Sequence, residues 1–82
     1  MDREQAGYVS GNPARVKILN LIASRREALT AEQVRKSVRL PTPTVERTLN
    51  EMAVRGLVAL SKGGYTITEL GERISGELRG MQ

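Results

Sequence analysis

The chain contains no cysteine, histidine, tryptophan or phenylalanine. Without thiols there is neither a disulfide nor a thiolate nucleophile, and a reducing, cytoplasmic setting is expected. Without thiols and imidazoles, a Cys/His metal site and a histidine-based triad cannot be assembled. Asp2 is the only aspartate, and the glutamates are scattered along helical positions with no pair placed to act as general acid and base. No glycine-rich phosphate loop is present, because Lys62-Gly63-Gly64 reads as a turn between two strand-like runs. An enzyme is therefore not expected, and neither is a cofactor or metal. No apolar run approaches the roughly 20 residues of a membrane span, and MDREQAGYVS lacks the hydrophobic centre of a signal peptide.

What is present is a chain of 82 residues, which predicts one domain with a small core and leaves no room for a separate inducer-binding unit. The formal net charge is +4 and the pI near 10.1. The positive excess lies in the middle of the chain: residues 10–68 hold ten Lys/Arg against four Glu, a net +6, while residues 1–9 and 69–82 each carry −1. A basic body favours nucleic acid as partner; the plain alternative is a solvated surface kept for solubility.

Residues 1–9 read as a flexible N-terminal arm, and residues 10–82 as the folded domain. Asn12-Pro13 opens a helix to about Ser24, with Asn capping and Pro in the first turn. Val16, Leu19, Ile22 and Ala23, widened by Ile18 and Leu21, form its apolar stripe. TAEQ at 30–33 is a capping box, which predicts a short helix over Ala31–Ser37. Leu40 precedes Pro41 and is pushed out of helical geometry, so the chain turns there. Thr42 then reads as an N-cap with Pro43 at the first helical position. Val45, Leu49, Met52 and Ala53 face inward, and Thr44, Arg47, Thr48, Glu51 and Arg55 face outward, with Glu46 and Asn50 at the edges. Gly56 fits a left-handed C′ position, followed by Leu57 as its apolar contact. LVALS and YTIT around KGG read as a hairpin. Thr68 caps a last helix bearing Leu70, Ile74, Leu78 and Met81, which Gly71 and Gly76 weaken.

The order is helix, helix, turn, helix, β-hairpin, helix. It predicts a mostly helical α+β fold, the winged helix-turn-helix, with a three-helix core, a short two-stranded wing and a C-terminal helix. The run from Pro13 to Gly71 resembles the winged-helix transcriptional regulators of archaea and bacteria, in the broad ArsR/MarR-like group. NPARVKILNLIA, LTAEQVRKSVRLPTPTVERTLNEMAVRGLV and GGYTITELG carry the likeness. The resemblance implies sequence-specific binding of double-stranded DNA, with a recognition helix at about 43–55 in the major groove and a wing at 61–65 near the backbone. It places Thr44, Arg47 and Thr48 at base edges or adjacent phosphates, and Arg47 is the side chain suited to a bidentate guanine contact. Thr42 lies at a helix N-terminus that meets a phosphate. Arg35, Lys36, Arg39 and Arg55 flank as backbone contacts, and Lys62 and Gly63 form the wing tip. Leu78 and Met81 lie beyond what so small a core requires, and many such regulators are dimers, so a homodimer seam is expected there.

Two alternatives stay open. A winged-helix module can dock a protein in transcription or replication machinery, and the balance of Arg47 and Arg55 against Glu46 and Glu51 fits that. Non-specific, chromatin-like DNA binding is the other.

Overall fold

Residues 2–9, expected as part of a loose arm, are folded. The computed structural model describes residues 2–80. Its order is α1 (Arg3–Ser10), α2 (Pro13–Ala23), α3 (Ala31–Val38), α4 (Thr42–Val54), β1 (Val58–Ser61), β2 (Gly64–Ile67) and α5 (Glu69–Gly80). Asp2 caps α1, its Oδ1 accepting the Gln5 N–H at 3.1 Å. Eight residues do not sustain a helix alone. Packing supplies the remainder: Val9 has no exposed surface, and α1 lies against α2 and α5. The division at residue 9 therefore disappears, since α1 runs through it into the rest of the domain.

α2 begins as its sequence indicates, with Asn12 Oδ1 accepting the Ala14 N–H at 2.8 Å and Pro13 in the first turn. Ile18, Leu19 and Ile22 are its buried residues, whereas Val16 and Leu21 are only half-buried. The capping box of α3 is complete: Gln33 N–H donates to Thr30 Oγ1 at 3.1 Å, and Thr30 N–H donates to Gln33 Oε1 at 2.9 Å. α3 ends on Arg39 in the left-handed region, φ 57°, whose N–H closes on the Arg35 carbonyl at 2.9 Å.

The start of α4 differs from expectation. The Pro41 carbonyl accepts the Val45 N–H at 3.1 Å, so Pro41 is the N-cap and Thr42 the first helical residue. Thr42 is thus no cap, and no side chain caps this end. The other end matches a full Schellman closure, with Leu57 N–H on the Met52 carbonyl at 2.9 Å and Gly56 N–H on Ala53 at 3.1 Å.

β1 and β2 pair antiparallel with Leu60 opposite Tyr65 and Ser61 opposite Gly64, leaving Lys62 and Gly63 as the turn. On its other edge β2 meets Leu29, which exchanges backbone bonds of 2.9 and 2.7 Å with Tyr65. Gly64 is required at that crossing: its φ is +125°, and a Cβ there would fall on the Leu29 carbonyl. Thr68 caps α5 by accepting the Gly71 N–H at 3.0 Å, while its hydroxyl donates to the Gly56 carbonyl at 2.6 Å and ties the helix back to the end of α4.

Among the described residues the result is a mostly helical α+β domain with five helices and one two-stranded antiparallel hairpin. A single aliphatic cluster joins Val9, Leu19, Ile22, Val34, Leu49, Leu57 and Ile74. Leu78 belongs to this cluster and is 8% exposed, so it is not a free dimer seam. For Leu78 the expectation left out α1, which packs on α5. Met81, the other residue of that seam, lies outside the described residues.

Two glycines of α5 should respond with opposite signs. A Cβ at Gly71 would strike the Leu57 carbonyl and approach Ile67 Cδ1 at 2.6 Å, whereas one at Gly76 meets nothing within 4 Å. Gly76→Ala should raise stability by about 0.5–1 kcal/mol through helix propensity. Gly71→Ala should lower it by about 2 kcal/mol despite that gain. Urea denaturation of both variants measures this. In the same assay Leu78→Ala should cost about 2–4 kcal/mol, as for a core leucine.

Candidate functional site

α4 is held by Val45, Leu49 and Met52, none of which has exposed surface. That stripe turns Pro43, Glu46, Arg47, Asn50 and Val54 outward, all of them exposed. Arg47 stands on the outer face as expected. Thr48 does not: it is 6% exposed, one turn from both Val45 and Met52, on the shoulder of the buried stripe. Thr44 is half-buried. Thr48 is therefore removed from the set of surface contacts.

The C-terminal end of α4 is occupied by α1. The Arg55 guanidinium lies 3.7 Å from the centre of the Tyr8 ring, and Arg15 lies 4.0 Å from it. Arg55 Nη1 donates to Gln5 Oε1 at 3.2 Å, Arg15 Nη1 to the Tyr8 carbonyl at 2.7 Å, and the Tyr8 hydroxyl to Glu51 Oε1 at 2.8 Å. Arg55 is thus a structural group bound inside the domain, not the outward contact the helical spacing suggested. Burial pushes the Tyr8 phenol above its ordinary value, and the hydrogen bond to Glu51 adds to the shift. Beside this node a hollow of about 310 Å³ is lined by Tyr8, Asn50, Glu51, Val54 and Arg55, with Val54 88% exposed.

The cations before α4 divide. Arg35 is held by Glu32, with Nε on Oε2 at 3.2 Å, and the pair lowers the Glu32 pKa and raises that of Arg35. Being exposed, the pair is worth little and opens readily. Lys36 and Arg39 are exposed and meet no carboxylate within ion-pair distance among the described residues. Lys62 and Gly63 are exposed at the hairpin turn, while Tyr65 packs against the core cluster. At the start of α4 two prolines eliminate two donors, which leaves the Thr42 and Thr44 N–H groups free of protein acceptors. The surface around α4 thus combines free cations, free N–H donors and an outward guanidinium and carboxamide, a set suited to phosphate oxygens and planar hydrogen-bonding edges.

Sequence reasoning passed over the helix α1 and the partners that Tyr8 meets. One signal was present: Asp2 followed by Gln5 has the spacing of a helix-start box. Gln5 does not complete that box, because its side chain turns to Arg55 instead.

Fold and surface together define a small, mostly helical α+β domain that displays one polar helix face. The chain belongs to the HVO_A0261 N-terminal domain family, whose model matches residues 3–82. No curated protein and no solved structure matches it significantly. Among the described residues no group of three or more His, Cys, Asp or Glu lies together, and no helix is long and apolar enough to cross a membrane.

The Tyr8 node should make stability sensitive to alkali. A raised phenol pKa means that the folded state favours the neutral form, so this contribution is complete below the ordinary value near 10.0 and is lost as pH rises through the raised one. Between about pH 8 and pH 11, wild type should therefore lose more stability than Tyr8→Phe in parallel urea titrations. At neutral pH, Tyr8→Phe should cost only about 0.5–1 kcal/mol, because the ring contacts survive the loss of one exposed hydrogen bond.

Proposed function

We propose that this domain is a winged helix-turn-helix that binds double-stranded DNA as a transcriptional regulator, with α4 in the major groove and the β1–β2 turn beside the backbone. The observation that carries the reading is the outward face of α4. Among the described residues the exposed Arg47 meets no intramolecular partner, and it follows two uncapped N–H groups and the cations Lys36 and Arg39, which meet no carboxylate there. A helix N-terminus and flanking cations suit phosphates, and a free guanidinium suits a guanine edge. The tight turn from α3 to α4, the hairpin that follows and the Leu29–Tyr65 bridge on its far edge support the winged-helix architecture. The contact set differs from the one read in the sequence. Thr48 and Arg55 leave it, Arg35 enters only by exchanging Glu32 for phosphate, and Lys36, Arg39, Arg47 and Lys62 remain.

One observation favours a second reading. Val54 stands 88% exposed beside the hollow at Tyr8. An apolar residue so placed suits the docking of a protein, the other use of such a module.

Fluorescence anisotropy with random duplex DNA at several salt concentrations tests the first reading. Wild type should bind with a steep salt slope. A Lys36→Ala/Arg39→Ala double variant should lower that slope by about two units, one for each phosphate contact removed. Arg47→Ala should weaken binding to a selected site by about 1–3 kcal/mol. Absence of binding even at low salt would exclude DNA and leave protein docking.

A further inference from the structure

The outward face of α4 carries a second hydrogen-bonding group suited to the same task. Of its polar side chains, Thr48 is buried, Thr44 is half-buried, and Glu51 and Arg55 are bound to Tyr8 and Gln5. Thr42, at the first turn, and Glu46, Arg47 and Asn50 beyond it remain, all exposed and none with a side-chain partner among the described residues. Asn50 is the unusual member. Asparagine is a poor helix former, and its amide helps a helix chiefly at the ends, by capping. Asn50 lies in the interior of α4, caps nothing and packs into no core. A lysine or glutamine there would favour the helix more.

We propose that Asn50 is a base-reading residue that recognises adenine. The proposal rests on the DNA-binding reading above. A carboxamide presents a donor and an acceptor side by side, which matches the N6 amino group and N7 of adenine in the major groove. Arg47 precedes Asn50 by three residues on the same face, an axial rise of about 4.5 Å. That is close to the ~3.4 Å step between stacked base pairs. The two side chains therefore address neighbouring base pairs, a guanine through Arg47 and an adenine through Asn50. Glu46, one turn before Asn50, is repelled by phosphate but accepts from a cytosine amino group. Its presence places this edge of α4 over the bases instead of the backbone.

Selection from a random duplex library, followed by competition with single-base variants of the selected site, tests this. The wild-type site should contain a guanine and an adenine at neighbouring positions. Asn50→Ala should reduce discrimination at the adenine from about tenfold to near none. It should leave the guanine preference and the salt slope unchanged and should not lower the melting temperature, since the position is exposed and unbonded and alanine favours the helix more than asparagine. Arg47→Ala should do the reverse, losing the guanine. If Asn50→Ala keeps the adenine preference, or wild type binds duplex with no adenine preference, the assignment to Asn50 is overturned and the DNA-binding reading survives. If wild type binds no duplex even at low salt, both are overturned.

Discussion

Val45, Leu49 and Met52 decide what α4 shows to solvent. Each has no exposed surface, and burying a side chain of this size is worth about 1.5–3 kcal/mol. Turning the helix inward by one or two positions would exchange those gains for the burial of Arg47 or Glu46 without a partner, which costs far more. The rotation of α4 is therefore set by its hidden side. Its axial position is set as well, by the Pro41 carbonyl at one end and by the Schellman closure with buried Leu57 at the other. The outward residues inherit this rigidity with no contacts of their own.

The Tyr8 node acts on the same helix from outside. By engaging Arg55 and Glu51 it removes one cation and one anion from the exposed arc and anchors α1 on α4 and α2. With α1 in place, Val9 completes the core and Leu78 is enclosed. So small a domain gains from this extra layer, because the buried fraction of a chain rises with each element that covers the core. The tie is polar at its rim and apolar beneath. Its aromatic ring is one of only two in the chain, and the other, that of Tyr65, packs against the core cluster.

Features coded by neighbours in the chain were legible before the structure. Asn12-Pro13, the Thr30/Gln33 box and the Gly56-Leu57 closure each act over a few residues and stand where expected, and the hairpin turn stands there too, shortened to Lys62-Gly63 because Gly64 joins β2. What was missed depends on distant partners. α1 carries the start signal Asp2 but is too short to hold itself, and its anchor joins Tyr8 to Glu51 across 43 residues. Leu78 looked surplus only because α1 was absent from the count. Thr48 lies beside the apolar stripe, and periodicity places a face only to within about one position at its margins. Thr42 lost its capping role because two good starters compete there, and Pro41, already extended at ψ 143°, supplies the first carbonyl.

Among the candidate site residues, Arg47 and Lys36 were legible because their exposure follows from local periodicity and charge. Asn50 was assigned to an edge, and only the loss of Thr48, Glu51 and Arg55 from the arc brings it to the centre. That redistribution bears on how the proposed DNA reading divides its work. Glu46 and Arg47 cancel, so the arc itself is close to neutral and contributes little to salt-dependent attraction. The attraction then falls to Lys36, Arg39 and Lys62, which lie before α4 and on the hairpin turn. In that proposed reading the flanking cations attract any duplex and the nearly neutral arc discriminates among base edges, two roles separable by mutation. In the proposed reading the carboxamide and the guanidinium, three residues apart on one rigid face, serve base edges, a task that a surface kept basic only for solubility does not set.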